Sequence, residues 1–177
     1  QNACSHYCLK KHVYLVLSFG IVCRIKLLRH RGVAFGCSFV LANCPGNVCR
    51  INLLRHPGWG RAQETYGEDP WLLGEFGVAA VKGIEKNNVM ACPKHFALNS
   101  IENSRWVIDV KANERTLREV YLPHFKKVIQ EGKPASIMSA YNKVRGKYSG
   151  SNEELLTDIL KKEWEFDGFI STDWMYG

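Results

Sequence analysis

The chain has 177 residues, 46% hydrophobic and 23% charged, which suits one globular domain with a sizeable core. Its net charge of +7 sits at one end: residues 1–57 carry eight Lys or Arg and no acidic residue, while residues 58–177 carry sixteen basic and seventeen acidic side chains. A majority this close to neutral excludes a uniformly basic surface built for nucleic acid.

Six of the seven cysteines, Cys4 to Cys49, crowd the same end, and only Cys92 lies beyond. No two of them form a CxxC pair, which argues against a structural zinc site, and a disulfide framework would require an oxidising compartment. Val13–Cys23 is the longest largely apolar run. It is too short for a membrane span, which needs roughly 20 residues, but it has the length of a signal-peptide core. Secretion is therefore left open, and the compartment with it. Residues 23–32, CRIKLLRHRG, return as CRINLLRHPG at 49–58. One echo without a third copy is local duplication and not a solenoid.

From residue 50 the pattern is regular. Ile51–Leu54 reads as a short strand. Asp69-Pro70 supplies an N-cap and a proline at the first helical position, and Leu72, Leu73, Phe76, Ala80 and Ile84 follow at helical spacing. Val89–Cys92 is the next strand. Asn113 caps a second helix with Leu117, Val120, Tyr121, Phe125 and Val128 on its apolar face, bent at Pro123 and stopped at Gly132. Ala135–Ala140 is a third strand. Ser151 and Glu154 form a capping box ahead of Leu155, Leu156, Ile159 and Leu160, and Gly168–Ser171 is the fourth strand. The β-α-β-α-β-α-β order predicts an α/β fold, parallel strands alternating with helices.

Periodicity alone does not separate a closed barrel from an open sheet. The placement of polar residues favours a barrel, whose reactive groups gather on the loops after the strand C-termini. Arg61 follows the first strand, Lys94 and His95 end the second, Tyr141 ends the third, and Asp173 with Trp174 ends the fourth.

The blocks GRAQETYGEDP, ACPKHFALNSIENSR, NERTLREVYLPHFKK and SIMSAYNKVRGKYSGSNEELLTDILKKEWEFDGFISTDW resemble, in order and spacing, the N-terminal barrel of family 3 glycoside hydrolases, over residues 49–177. The KHFALN form followed by Glu102 and Arg105 is closer to the β-glucosidases than to the N-acetylglucosaminidase branch. The resemblance implies a partial (β/α)8 TIM-type barrel and retaining hydrolysis of terminal β-glucosidic bonds. In it Asp173, within STDW, matches the nucleophile; Arg61, Lys94, His95 and Tyr141 match sugar-binding positions, and Trp174 is placed to stack on a sugar ring. A carboxylate suits the nucleophile because it can form a glycosyl ester and leave again when water arrives. Each residue also has a plainer reading. Asp173 could cap a helix, Arg61 could pair with Glu64 or Glu68, Lys94 could be solvated, and His95, Tyr141 and Trp174 could be core.

Neither a metal nor a cofactor is implied, and the partner is a β-glucoside or oligosaccharide, with no nucleic acid and no membrane span. Residues 1–48 match the family poorly. The family draws its general acid/base from a domain beyond the barrel, and none of Glu64, Glu68, Glu102, Asp109 or Glu114 matches it. By itself the chain is thus expected to be inactive or nearly so. The alternative is a non-catalytic or decayed fragment with weak sugar binding at most. A Schiff-base role for Lys94 would leave Asp173 without a task, and GxxxxGK[ST], HExxH and GxSxG motifs are all absent.

Overall fold

The computed structural model describes the backbone of residues 8–9, 12–16, 22–26 and 48–173, and side chains over 49–173. The chain divides into two compact units, Gln1–Asn43 and Cys44–Gly177. In the first, β1 (Cys8–Leu9), β2 (His12–Val16) and β3 (Val22–Lys26) form an antiparallel ribbon in that order. Of the run Val13–Cys23, residues 13–16 lie on β2 and residues 22–23 on β3, while residues 17–21 and the side chains of this segment lie outside the described residues.

The second unit is mixed α/β with parallel strands. Its main strands are β4 (Val48–Arg50), β5 (Cys92–Lys94), β7 (Ser136–Met138) and β10 (Phe169–Ser171). β4 pairs with β5 and β7 with β10, both in parallel. β5 is joined to β7 where the Phe96 N–H donates to Met138 O and the Ala140 N–H to Phe96 O, each at 2.8 Å. Spatial order therefore equals chain order, and every strand C-terminus points to one rim. At the opposite rim Glu85 Oε1 accepts from the N–H groups of Ala91 (3.2 Å) and Ala135 (2.7 Å), tying the starts of two strands together.

Two strand positions differ from the sequence expectation. Pairing begins at Val48, and the apolar run Ile51–Leu54 is mostly the loop leaving the strand, with Ile51 and Leu53 buried in the core. The second strand starts three residues late, at Cys92, with Val89 and Met90 only half-buried.

Helix α1 (Pro70–Glu85) begins as the sequence predicts: Asp69 Oδ1 accepts from the N–H groups of Trp71 (2.7 Å) and Leu72 (3.4 Å), and Pro70 needs no such partner. Its buried face is not the expected one. Leu72 and Phe76 are 46% and 48% exposed, while Leu73, Gly74, Gly77, Val78 and Val81 face inward. Two glycines rotate the face because they let the helix approach closely. A Cβ on Gly77 would stand 2.5 Å from Val128 Cγ2 and 3.1 Å from Ile51 Cγ2. Gly77→Ala is therefore expected to cost about 1–3 kcal/mol by overpacking, read as a lower urea midpoint.

The second helix, α2, runs over 114–132, capped by Asn113 Oδ1 accepting from the Thr116 N–H at 2.8 Å. It adapts to Pro123 by widening. The Leu122 N–H reaches back five residues to Leu117 O, and regular turns run over Pro123–Lys127 before the helix widens again at Val128–Gly132. The widening shifts the inward face to Leu117, Leu122, His124, Phe125, Val128 and Ile129, with Val120 and Tyr121 only partly buried. The helix stops at Lys133, whose φ of 53° is left-handed, and not through the backbone of Gly132. A Cβ on Gly132 would stand 3.4 Å from Val81 of α1, an ordinary contact.

The third helix, α3 (Glu154–Glu163), buries Leu155, Ile159 and Leu160 as its spacing predicts, with Leu156 only partly buried. Its cap is Asn152, whose Oδ1 accepts from the Leu155 N–H at 3.2 Å; the expected cap, Ser151, bonds back to Tyr148 O. Phe96 anchors the core edge-on between Phe125 (5.1 Å) and Trp164 (5.8 Å).

A small second sheet lies in the loops. β6 (Asp109–Val110) runs parallel to β8 (Lys143–Val144), which turns through Arg145 and Gly146 into β9 (Lys147–Tyr148). Both turn residues have positive φ, 53° and 90°, as a two-residue hairpin requires. Arginine is an unusual choice there. It is held by its Nε donating to Ala112 O (2.9 Å) and its Nη1 to Glu114 (3.0 Å).

Candidate active site

The strand-end residues named from the sequence fall on the common rim. Lys94 closes β5 and His95 follows it, and both are buried. Asp173 lies two residues beyond β10, also buried, with Oδ2 3.6 Å from His95 Nε2. Burial lowers the Lys94 ammonium below its ordinary pKa, an effect opposed mainly by the Asp173 carboxylate, so the two charges sense each other. His95 is pushed well below 6.5, first by burial and then by the cations Lys94, Arg61 and Arg105. At neutral pH its imidazole is uncharged.

Arg61 enters from the loop after β4. Its Nε donates to Glu64 Oε2 at 2.8 Å and its Nη1 to Glu102 Oε1 at 3.2 Å. The expected pairing with Glu64 is thus present, and a second carboxylate is added. Gly60, at φ 102°, lets the loop pass close to Glu102, whose Cβ would lie 2.9 Å from an added Cβ. Glu102 also pairs with Arg105, and its Oε2 accepts from Asn99 Nδ2 at 3.4 Å. Glu64 pairs further with Arg50. Both glutamates are thus paired with arginines.

Tyr141 is buried, with its ring 4.1 Å from Trp106 between centroids. The Arg105 guanidinium lies over both rings, at 4.7 Å from Trp106 and 4.8 Å from Tyr141. A continuous series Arg61–Glu102–Arg105–Tyr141 therefore links the first loop to the third. Trp174 lies outside the described residues. A small pocket opens between Asn52, Trp59, Arg61, Glu64, His95 and Asn99.

Four of these residues have no assigned role in the sequence reading. Glu102 and Arg105 stand out there only as part of a block. Trp106 and Asn52 carry no signal, since a lone tryptophan or asparagine in a loop matches no spacing rule. Asn52 nevertheless grips His95 three ways, through the backbone N–H (2.9 Å), the backbone carbonyl (3.3 Å) and ring Nδ1 (2.9 Å).

Parallel strands that bring a buried carboxylate, imidazole and ammonium to one rim, with a half-buried guanidinium beside them, have the layout of an α/β enzyme site. The chain belongs to glycosyl hydrolase family 3: the family's N-terminal domain profile matches residues 50–176. Over 115 residues it is 51% identical to the beta-glucosidase BoGH3A of Bacteroides ovatus, covering 65% of this chain and 15% of that protein. It is 40% identical, over the same share of this chain and 15% of the relative, to an exo-alpha-(1->6)-L-arabinopyranosidase of Bifidobacterium longum. Among solved structures, beta-glucosidase 3B of Thermotoga neapolitana in complex with glucose superposes with a TM-score of 0.72 at 46% identity, covering 74% of this chain and 19% of that one. The chain thus spans about 15% of the length of the curated relatives it matches. Among the described residues no helix is long and apolar enough to cross a membrane.

Proposed function

We propose that this chain supplies the nucleophile half of a retaining β-glucosidase site, within a (β/α)8 barrel of which β4, β5, β7 and β10 are four successive strands. The observation that carries the reading is the Asp173 carboxylate 3.6 Å from His95 Nε2, next to Lys94 on the shared rim. Asp173 attacks the anomeric carbon, the bond from that carbon to the leaving oxygen breaks, and a glycosyl ester forms. Water then cleaves the ester and restores the carboxylate. Lys94, His95 and Arg61, with Tyr141 and Trp174, bind and orient the sugar hydroxyls. The proton for the leaving oxygen comes from a second carboxylic acid about 5–5.5 Å from the first in retaining enzymes. Glu64 and Glu102, bound to arginines, are unsuited to that task. The family resemblance assigns it to a later domain.

The test uses a leaving group that departs without protonation. Incubation with 2,4-dinitrophenyl 2-deoxy-2-fluoro-β-glucoside is expected to release dinitrophenolate and add one fluoroglucosyl group to the chain, mapped to Asp173. Absence of the adduct, or an adduct on Glu64 or Glu102, would overturn the assignment. The arabinopyranosidase relatives make an activated α-L-arabinopyranoside the control for sugar preference, with the glucoside expected to react faster.

A further inference from the structure

The orientation of a side-chain amide is ordinarily ambiguous, because its oxygen and nitrogen look alike. At Asn52 it is not. The His95 backbone N–H can only donate, and the atom it meets at 2.9 Å is therefore Oδ1. The His95 backbone carbonyl can only accept, and Nδ2 lies 3.3 Å from it. Two backbone groups of one residue thus fix both ends of the amide. The same Oδ1 lies 2.9 Å from His95 Nδ1. Two acceptors do not bond, so Nδ1 carries the proton. A neutral imidazole has only one N–H, and Nε2 is then left with a lone pair that can accept. The contact is buried, with Asn52 and His95 both shielded from water, so no solvent exchange relaxes it.

We propose that Asn52 is a positioning residue that locks His95 in its Nδ1–H tautomer, so that Nε2 accepts a hydrogen bond from a substrate hydroxyl. The proposal deepens the glycosidase reading and rests on it for the identity of the donor. Two consequences follow for the site. His95 has no proton on Nε2 to give to Asp173 Oδ2 at 3.6 Å, so the imidazole leaves the carboxylate's charge undiminished for attack. The hydroxyl that donates to Nε2 keeps its own oxygen lone pairs available to a cation such as Lys94. The site therefore reads that hydroxyl as donor and acceptor at once, and a deoxy or fluoro substituent there would fail to bond to Nε2.

The tautomer is directly readable by long-range proton–nitrogen correlation on the full chain labelled with nitrogen-15 histidine, with His95 assigned by its loss in His95→Gln. The wild-type chain is expected to show protonated Nδ1 and bare Nε2 on His95 at neutral pH, without the change of charge that an ordinary imidazole undergoes near pH 6.5. A protonated Nε2, or an imidazolium at neutral pH, would overturn the proposal. Asn52→Asp puts a carboxylate on Nδ1 in place of a neutral oxygen. Facing the ring are the cations Lys94, Arg61 and Arg105 and the Asp173 carboxylate, all unchanged, so the new charge is expected to raise the proton affinity of His95 about tenfold or more. An unaltered His95 signal in Asn52→Asp would also refute the contact. Failure of the dinitrophenyl sugar to label Asp173 while His95 holds the Nδ1–H form would remove the glycosidase reading and leave the tautomer standing. Labelling with the opposite tautomer would remove this inference alone.

Discussion

Asp173→Asn is expected to reduce labelling by the activated fluoroglucoside by on the order of 10⁴-fold or more, the scale on which removal of a covalent nucleophile is felt. The substitution keeps the side chain's size and one of its oxygens but removes the negative charge that attacks the anomeric carbon. It is therefore a test of chemistry more than of folding. Asp173→Ala, which leaves a space, sharpens it. Azide is expected to enter that space and release the dinitrophenolate of an activated β-glucoside, giving the α-glycosyl azide by a single inversion. A residue that served only to cap or pack would show neither the loss nor the inverted product. Retained labelling of Asp173→Asn would exclude Asp173 as the nucleophile.

His124 gives the second large effect, in stability. Its imidazole is buried within α2 beside Phe125, and neither ring nitrogen meets a hydrogen-bond partner among the described residues. Burial, with a smaller push from the Arg55 charge, lowers its pKa to about 3. The unfolded chain takes up a proton near pH 6.5, whereas the folded chain resists one until about pH 3. Folding stability is therefore fully present above about pH 6.5 and falls as the solution is acidified through that window. The whole interval corresponds to roughly 4–5 kcal/mol, a large share of an ordinary domain's stability. Carboxylates complicate the lower end, so the comparison belongs between pH 7 and pH 5, where His124 alone contributes roughly 2 kcal/mol. His95, also lowered, adds a slope of the same sign that a substitution at residue 124 does not touch. His124→Leu is expected to gain about 2 kcal/mol over wild type on moving from pH 7 to pH 5, read from urea midpoints. Equal pH slopes in the two proteins would show that His124 is not held neutral.

Much of the architecture is legible in the letters, for identifiable reasons. The cap at Asp69 and the cap at Asn113 are read correctly because an N-cap is a local device, decided within three residues. The apolar spacing of Leu155, Ile159 and Leu160 likewise fixes the inner face of α3. The face of α1 is misjudged because hydrophobic counting gives no weight to glycine, yet Gly74 and Gly77 are what lets α1 meet α2. The hairpin at Arg145-Gly146 is missed because arginine is a poor turn residue. It is stable there only through Ala112, Glu114 and Glu154, which the chain brings from elsewhere. For the site, the strand-end positions of Lys94, His95 and Asp173 can be read in order. What they touch cannot, because Asn52 and His95 are 43 residues apart and their contact exists only after β4 and β5 pair.

The alternation of strands and helices, the starts of α1 and α2 and the family were legible in the letters alone, since each rests on short-range periodicity or on blocks of consecutive residues. Which side chains meet across remote segments came only with the packed fold. It turned Glu102 and Glu64 into arginine partners, aligned four strand ends on one rim, and set the imidazole of His95 between an amide oxygen and a carboxylate. The physical reason is that a hydrogen bond or ion pair depends on distances of a few ångströms, and only packing of remote segments fixes those.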